Sequence, residues 1–125
     1  MLNSLFKTLS QSTWFAWIWT ILILAACTWP GKDIPSGPPI MGFDKIVHAG
    51  LFGVWIVLWL LALPEKTRFL IMLGMAYGLG LEVYQQLLPF DRTFDWWDAA
   101  ADAVGVFLGY LFKSKVIDRY LQRLY

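Results

Sequence analysis

Residues that could carry out acid–base chemistry are concentrated in three short stretches of an otherwise apolar chain. FDKIVHAG carries Asp44 and Lys45 near its start and His48 one helical turn later, while GLEVYQQLLPFDR and FDWWDAAADAVG add further acids and Arg92. A carboxylate and an imidazole held together can exchange protons with a substrate as general acid and base. A planar guanidinium matches the geometry of a phosphate or carboxylate group. The sequence therefore predicts an acid–base site beside an anion-binding group.

The predicted site contains residues that could act on a ligand and residues that could hold it. Glu82 is the sharpest signal, because it lies about 10 Å inside Pro89 on a regular helix, and a charge at that depth in a membrane is costly. The candidate catalytic residues are Glu82, His48 and Arg92. The candidate substrate-binding residues are Asp44, Lys45, Gln85, Asp98 and Asp102. The sequence has no compact metal-binding motif, so no metal and no cofactor is predicted.

The composition indicates the solvent in which these residues work. Of the 125 residues, 58% are hydrophobic and 15% are charged, against about 25% charged in an average soluble domain. The mean hydropathy is +0.56. A chain this small cannot hide so much apolar surface from water, which predicts an integral membrane protein. Nucleic-acid binding is excluded as an expectation, because the basic residues are few and scattered.

Four apolar segments, residues 12–29, 46–63, 69–88 and 96–112, are each close to the length that crosses a hydrocarbon core of about 30 Å. Stretches rich in Pro, Gly and charge separate them, and a basic amphipathic tail follows the last one. The tail is expected to lie along the membrane surface. The predicted fold is therefore all-α: one domain over residues 1–125, built as a four-transmembrane-helix bundle with a short amphipathic C-terminal tail.

The distribution of Lys and Arg predicts the orientation. In a four-span topology seven of the ten basic residues share the side of the two termini, and three share the other side. Basic residues favour the cytoplasmic side, so both termini are expected in the cytoplasm of a multi-pass protein. The stretches with the candidate site residues would then lie at the outer face of the membrane.

Helical spacing predicts that the acids of the last segment face the bundle. Asp95, Asp98 and Asp102 fall on one stripe of the helix, and Gly105 and Gly109 continue this stripe as a GxxxG pattern. Small residues at this spacing let another helix approach closely. The acids should therefore meet residues of the other segments rather than lipid.

The three stretches together resemble the VanZ-like membrane proteins. DKIVHAGLFG, EVYQQLLPFDR and DAAADAVGVFLG match the family pattern in order and spacing at eight positions, namely Asp44, Lys45, His48, Glu82, Gln85, Arg92, Asp98 and Gly105. Asp102 departs from the pattern, which has Asn there. The resemblance covers about residues 44–109 and implies a small protein of the bacterial cell membrane, in a family named for resistance to the glycopeptide teicoplanin.

Three functions remain open at this point. The first is recognition or modification of an envelope lipid or lipid-linked precursor, with Arg92 and Lys45 holding its phosphate or carboxylate. The second is a cation or proton site, since the excess of acids would suit Mg²⁺ or Ca²⁺. The third is a non-catalytic membrane protein that docks a helical partner or a second copy through its GxxxG faces, with a structural polar cluster. The first is preferred, and the sequence leaves open whether a reaction is catalysed.

Overall fold

The structure, a computed structural model, describes residues 1–28, 43–89 and 95–124, and these ranges contain helices and no strand. The helices are α1 (Leu2–Ser10), α2 (Trp14–Thr28), α3 (Phe43–Ala62), α4 (Thr67–Leu87), α5 (Trp96–Phe112) and α6 (Asp118–Gln122). A 3₁₀ turn over Pro64–Lys66 joins α3 to α4, and a π-helical turn over Lys113–Ile117 joins α5 to α6. The prediction of an all-α fold is confirmed.

Each of the four predicted apolar segments corresponds to one long helix, although these helices differ in how well their length and hydropathy suit a membrane span. Within the described ranges, α3 is the one helix that is long and apolar enough by itself, and α1 with α2 reaches this standard only as a pair bent by 80°. Helix α5 has 17 residues and carries Asp98 and Asp102, while α4 carries Arg68 and Glu82. The charged residues of α4 and α5, and the shorter length of α5, lower the hydropathy signal of these two helices. Helix α1 is an element that the sequence did not predict separately.

Glycines set the distance between α3, α4 and α5. A Cβ atom at Gly105 would overlap the backbone of Ala49 in α3, and one at Gly109 would overlap Gly53 and Ile56. On α4, a Cβ atom at Gly74 would lie 2.8 Å from the side chain of Val106. The GxxxG pattern of Gly105 and Gly109 and a second one, Gly74 and Gly78 on α4, are therefore covered by helices of the same chain, and their glycines are not available for docking another protein.

A hydrogen-bonded network on α2 fixes that helix against α3 and α4. The Thr20 hydroxyl accepts from the indole N–H groups of Trp55 at 2.9 Å and Trp59 at 3.3 Å, and it donates to the Ala16 carbonyl at 2.7 Å. The Tyr77 hydroxyl donates to the Thr20 carbonyl at 2.8 Å. Tyr and Trp are large apolar groups with one polar atom, so this network allows them to fill the core without an unpaired donor.

The two ends of the chain meet at the same end of the bundle. The rings of Phe6 in α1 and Tyr120 in α6 have centroids 6.1 Å apart, and the Tyr120 hydroxyl donates to Asn3 Oδ1 at 3.1 Å. In the predicted amphipathic tail, Lys113 pairs with Asp118 at 3.0 Å, and Ile117 is buried. The tail thus continues α5 as helix and packs on the bundle.

Candidate functional site

The candidate site lies at the end of the bundle where α3 and α5 begin and α4 ends, opposite the end where the termini meet. Its described side chains form two groups. The outer cluster consists of Asp44, Lys45, Asp95 and Asp98. The inner cluster consists of His48, Glu82 and Asp102. Arg92, the third predicted catalytic residue, lies outside the described residues, as does Asp91.

Lys45 is the centre of the outer cluster. Its ammonium group donates to Asp44 Oδ2 at 2.7 Å, to Asp95 Oδ2 at 2.8 Å and to Asp98 Oδ1. The contacts to Asp95 and Asp98 tie α3 to the start of α5. All three donors of the ammonium are therefore used by carboxylates of the same chain, and the predicted anion-binding role of Lys45 requires at least one of them to be released.

Asp95 has two roles at the start of α5. Its side chain accepts from the backbone N–H of Trp97 at 2.9 Å, which caps the helix as expected for this residue type. The same carboxylate accepts from the Lys45 ammonium, and this hydrogen bond holds the pKa of Asp95 below its ordinary value. The contact with Lys45 is one that the spacing of the acids along the last segment did not indicate.

His48 and Asp102 form the deepest polar contact between α3 and α5. His48 Nδ1 lies 2.8 Å from Asp102 Oδ1, and His48 Nε2 lies 3.8 Å from Asp98 Oδ2. Only 1% of the Asp102 surface is exposed. A buried carboxylate that accepts from Nδ1–H fixes the tautomer of the ring and leaves Nε2 as a base.

Glu82 completes the inner cluster from α4 and is 1% exposed. One carboxylate oxygen, Oε2, accepts from the backbone N–H of Asp95 at 3.3 Å. The other, Oε1, is buried and has no hydrogen-bond partner among the described residues. Leaving a buried acceptor unpaired costs about 1–3 kcal/mol, and more for a charged group. This oxygen is therefore the atom of the site most in need of a proton, a ligand or an ion.

Gly78 makes the meeting of Glu82 and Asp102 possible. It lies one helical turn before Glu82 on the same face of α4. A Cβ atom at Gly78 would lie 2.8 Å from Asp102 Cβ and 3.0 Å from Asp102 Oδ2. The second glycine of the GxxxG pattern in α4 thus provides the space that the Asp102 carboxylate occupies.

Gln85 points away from both clusters. Its amide nitrogen donates to the Cys27 carbonyl at the end of α2 at 3.2 Å, and nearby the hydroxyls of Thr28 and Tyr84 are 2.9 Å apart. These contacts dock the last turn of α2 against α4. The structure thus gives the predicted ligand-binding residue Gln85 a contact that holds the bundle together.

The comparison with protein families decides the relationship of the chain. A model of the VanZ/LLP1 family matches residues 1–116. The chain belongs to the VanZ/LLP1 family. No curated protein and no solved structure is similar enough to count as a match. Membership of VanZ/LLP1, together with the apolar helix α3, indicates a membrane protein.

In this VanZ/LLP1 chain, the inner cluster is arranged for proton transfer or for holding an ion. A nitrogen of His48 and one carboxylate oxygen each from Glu82 and Asp102 lie within 4.8 Å of one another. The three carboxylates of the outer cluster also have oxygens within 4.8 Å of one another, but the Lys45 ammonium already contacts all three. The inner cluster is therefore the part of the site that can still take up a proton or an ion.

Sequence reasoning missed how the VanZ/LLP1 chain divides its polar residues. It treated the acids and bases as one site, whereas Lys45 draws three acids into an outer cluster of its own. It also did not assign Gly78 to the site. The GxxxG spacing was a usable signal for Gly78, because it places a smooth patch one turn before Glu82.

Proposed function

We propose that this VanZ/LLP1 protein crosses the bacterial inner membrane four times, with both termini in the cytoplasm and both polar clusters at the outer face. The antiparallel succession of α2, α3, α4 and α5 supports four crossings, and the meeting of α1 with α6 supports an even number. At 15 to 21 residues each, the four helices are about 22–32 Å long. Helix α1, bent by 80° from α2, would then lie in the cytoplasmic interface.

The charges support this orientation. The basic residues of α1, of the turn between α3 and α4, of the first turn of α4, and of the tail all belong to the end of the bundle away from the clusters. They are Lys7, Lys66, Arg68, Lys113, Lys115, Arg119 and Arg123. An excess of Lys and Arg marks the cytoplasmic side of a membrane protein.

The ligand that we propose is an envelope lipid or a lipid-linked precursor at the outer leaflet. Trp96 and Trp97 are 72% and 76% exposed at the start of α5, beside the outer cluster, which suits the headgroup level. Further along α5, Val104 and Phe107 are about half exposed and would face acyl chains. A molecule with a polar head and an apolar tail would contact both the clusters and this apolar surface.

The chemistry that we propose is acid–base. Asp102 would orient His48, and Glu82 would exchange a proton with the ligand or accept a hydrogen bond from it. Arg92 would hold an anionic group of the ligand, as the sequence predicts. The single observation that carries the proposal is the buried, unpartnered Oε1 of Glu82, within a cluster of described residues to which three helices contribute. Charged groups inside a membrane protein mark functional sites by default.

We also propose a link to glycopeptide resistance, which the name of the resembling family suggests and which can be tested in cells. We expect a bacterial strain that expresses the chain to change its susceptibility to teicoplanin, and the isosteric variant Glu82→Gln to lose this change. Glu65→Gln is the control, because Glu65 lies in the exposed turn at the other end of the bundle. Equal amounts of both variants in the membrane fraction, with the same susceptibility for both, would contradict the proposal.

The alternative of a purely structural polar cluster has one observation in its favour. Lys45 ties α3 to α5 through Asp95 and Asp98, which is what a structural ion cluster does. That alternative predicts that Glu82→Gln changes stability alone. It also requires a docking surface other than the GxxxG faces, since α3, α4 and α5 cover these glycines among themselves.

A further inference from the structure

The inner cluster has the donor set of a metal site as well as that of an acid–base site. It combines one imidazole with two carboxylates, and both carboxylates belong to side chains that are 1% exposed. Two buried carboxylates and a single imidazole carry more negative charge than positive charge. Burying such an excess is unfavourable unless a proton or a cation compensates it.

The unpartnered oxygen of Glu82 is a second, independent observation. Glu82 uses Oε2 to accept from the Asp95 backbone, while Oε1 remains buried without a partner in the described part of the chain. Gly78 leaves the space in which the Asp102 carboxylate approaches Glu82, since a Cβ atom there would lie 3.0 Å from Asp102 Oδ2. The chain thus positions two carboxylates together and leaves one oxygen of Glu82 without a partner among the residues described.

We propose that His48, Glu82 and Asp102 bind one divalent transition-metal ion of the Zn²⁺ or Mn²⁺ class. Bonds of about 2.0–2.2 Å to such an ion bring ligand atoms within about 4.4 Å of one another. The three ligand atoms already lie within 4.8 Å, so small side-chain rotations are enough. The ion would replace the hydrogen bond between His48 and Asp102 with a bond to each residue and would take up the unpaired oxygen.

The imidazole decides the class of ion. An excess of acids alone suggests the hard ions Mg²⁺ and Ca²⁺, which take oxygen ligands. Imidazole suits Zn²⁺ and other transition metals, while carboxylates suit Mn²⁺ as well. Three protein ligands leave at least one coordination position open, which is the arrangement of catalytic rather than structural zinc sites.

The outer cluster does not compete for this ion. Its three carboxylates, from Asp44, Asp95 and Asp98, each contact the Lys45 ammonium. An ion there would have to displace a positive charge that is already hydrogen-bonded to all three. Asp98 would instead stay near the inner site, 3.8 Å from His48 Nε2, where a carboxylate can orient a ligating histidine.

The test uses the full chain purified in detergent, stripped of metal with a chelator and titrated with Zn²⁺ or Mn²⁺ in the absence of added lipid. We expect one ion per chain by calorimetry and metal analysis, and a rise in the thermal unfolding temperature. Glu82→Gln and Asp102→Asn should each weaken binding by more than about tenfold, because altering even residues behind the ligands costs 10- to 100-fold. Glu65→Gln should bind as the wild type does.

A spectroscopic measurement keeps the proposal testable if a variant fails to fold. Co²⁺ bound to the wild-type chain should give visible absorption bands that Zn²⁺ abolishes. Absence of one-to-one binding by wild type would overturn the proposal, as would binding that Asp44→Asn removes and Glu82→Gln leaves intact. Because no lipid is present, an absence of metal binding would not contradict the lipid proposal. Likewise, an absence of lipid binding would not contradict a measured metal affinity.

Discussion

His48 Nδ1 and Asp102 Oδ1 are 2.8 Å apart, and this contact joins the first turns of α3 to the interior of α5. Replacing His48 by Ala would leave the Asp102 carboxylate buried without its partner. Breaking one side of a buried pair typically costs about 3–5 kcal/mol. We expect His48→Ala to lower the free energy of unfolding by about this amount, measured by titration of SDS into mixed micelles.

A double-mutant cycle separates this pair from a loss of packing. In an Asp102→Ala background the same His48→Ala change should cost much less, because no unpaired carboxylate remains. If His48→Ala costs the same in both backgrounds, the two side chains do not interact, and the inner cluster is not held as described.

Two glycines offer a matched test of the packing between α3 and α5. Gly105→Ala would drive a methyl group into the Ala49 backbone, which cannot rotate away as a side chain can. We expect a loss of about 2 kcal/mol or more, within the range of overpacked cores. A Cβ atom at Gly80 on α4 would meet no neighbouring atom within 4 Å, so Gly80→Ala should leave stability unchanged or raise it by up to about 1 kcal/mol through helix propensity. Equal effects of the two changes would contradict the packing of α3 on α5.

The outer cluster predicts a dependence of stability on pH. The hydrogen bond from Lys45 lowers the pKa of Asp95, so this contact contributes stability above the unfolded-state pKa of about 4 and loses it as the pH falls through the lower folded-state pKa. We expect Lys45→Met to cost about 1 kcal/mol at pH 7. The difference in the free energy of unfolding between wild type and Lys45→Met should become smaller as the pH falls below about 4.

Lys66→Met is the control for this pH dependence. Lys66 lies in the exposed turn between α3 and α4 and makes no ion pair with a described residue. The free energies of unfolding of Lys66→Met and wild type should differ little at every pH. A Lys45→Met gap that stays constant from pH 7 to the acid side would mean that the contact with Asp95 does not contribute to stability.

The sequence predicted the helices well where composition and spacing act locally. The segment predicted over residues 96–112 has the bounds of α5, and a turn over Pro64–Lys66 separates α3 from α4 because Pro64 cannot continue α3. The bend between α1 and α2 was not predicted, because Gln11 to Thr13 contain no Pro or Gly to mark it. At the bend, the Ser12 hydroxyl accepts from the backbone N–H of Trp14 at 3.2 Å, and Phe6 of α1 packs on Tyr120 from the other end of the chain.

The sequence predicted residues of the candidate site, but not which of them pair with each other. Helical spacing placed Asp98 and Asp102 on one stripe, but spacing along one helix says nothing about which residue of another helix each acid meets. Asp98 pairs with Lys45, while Asp102 pairs with His48 one turn deeper. Gln85 belongs to the same sequence pattern as Glu82, but it lies three residues further along α4. Its side chain therefore faces α2 and donates to the Cys27 carbonyl. Only the packing of the helices distinguishes these roles.

The proposed function is binding of a cell-envelope molecule at the inner cluster. Mass spectrometry of lipids retained through gentle purification tests it most directly, with wild type, Glu82→Gln and Glu65→Gln prepared in parallel and matched for helix content and elution volume. We predict a lipid or lipid-linked precursor that wild type and Glu65→Gln retain in stoichiometric amounts and that Glu82→Gln loses. The same lipids in all three samples, with Glu82→Gln altered only in its unfolding temperature, would contradict the claim.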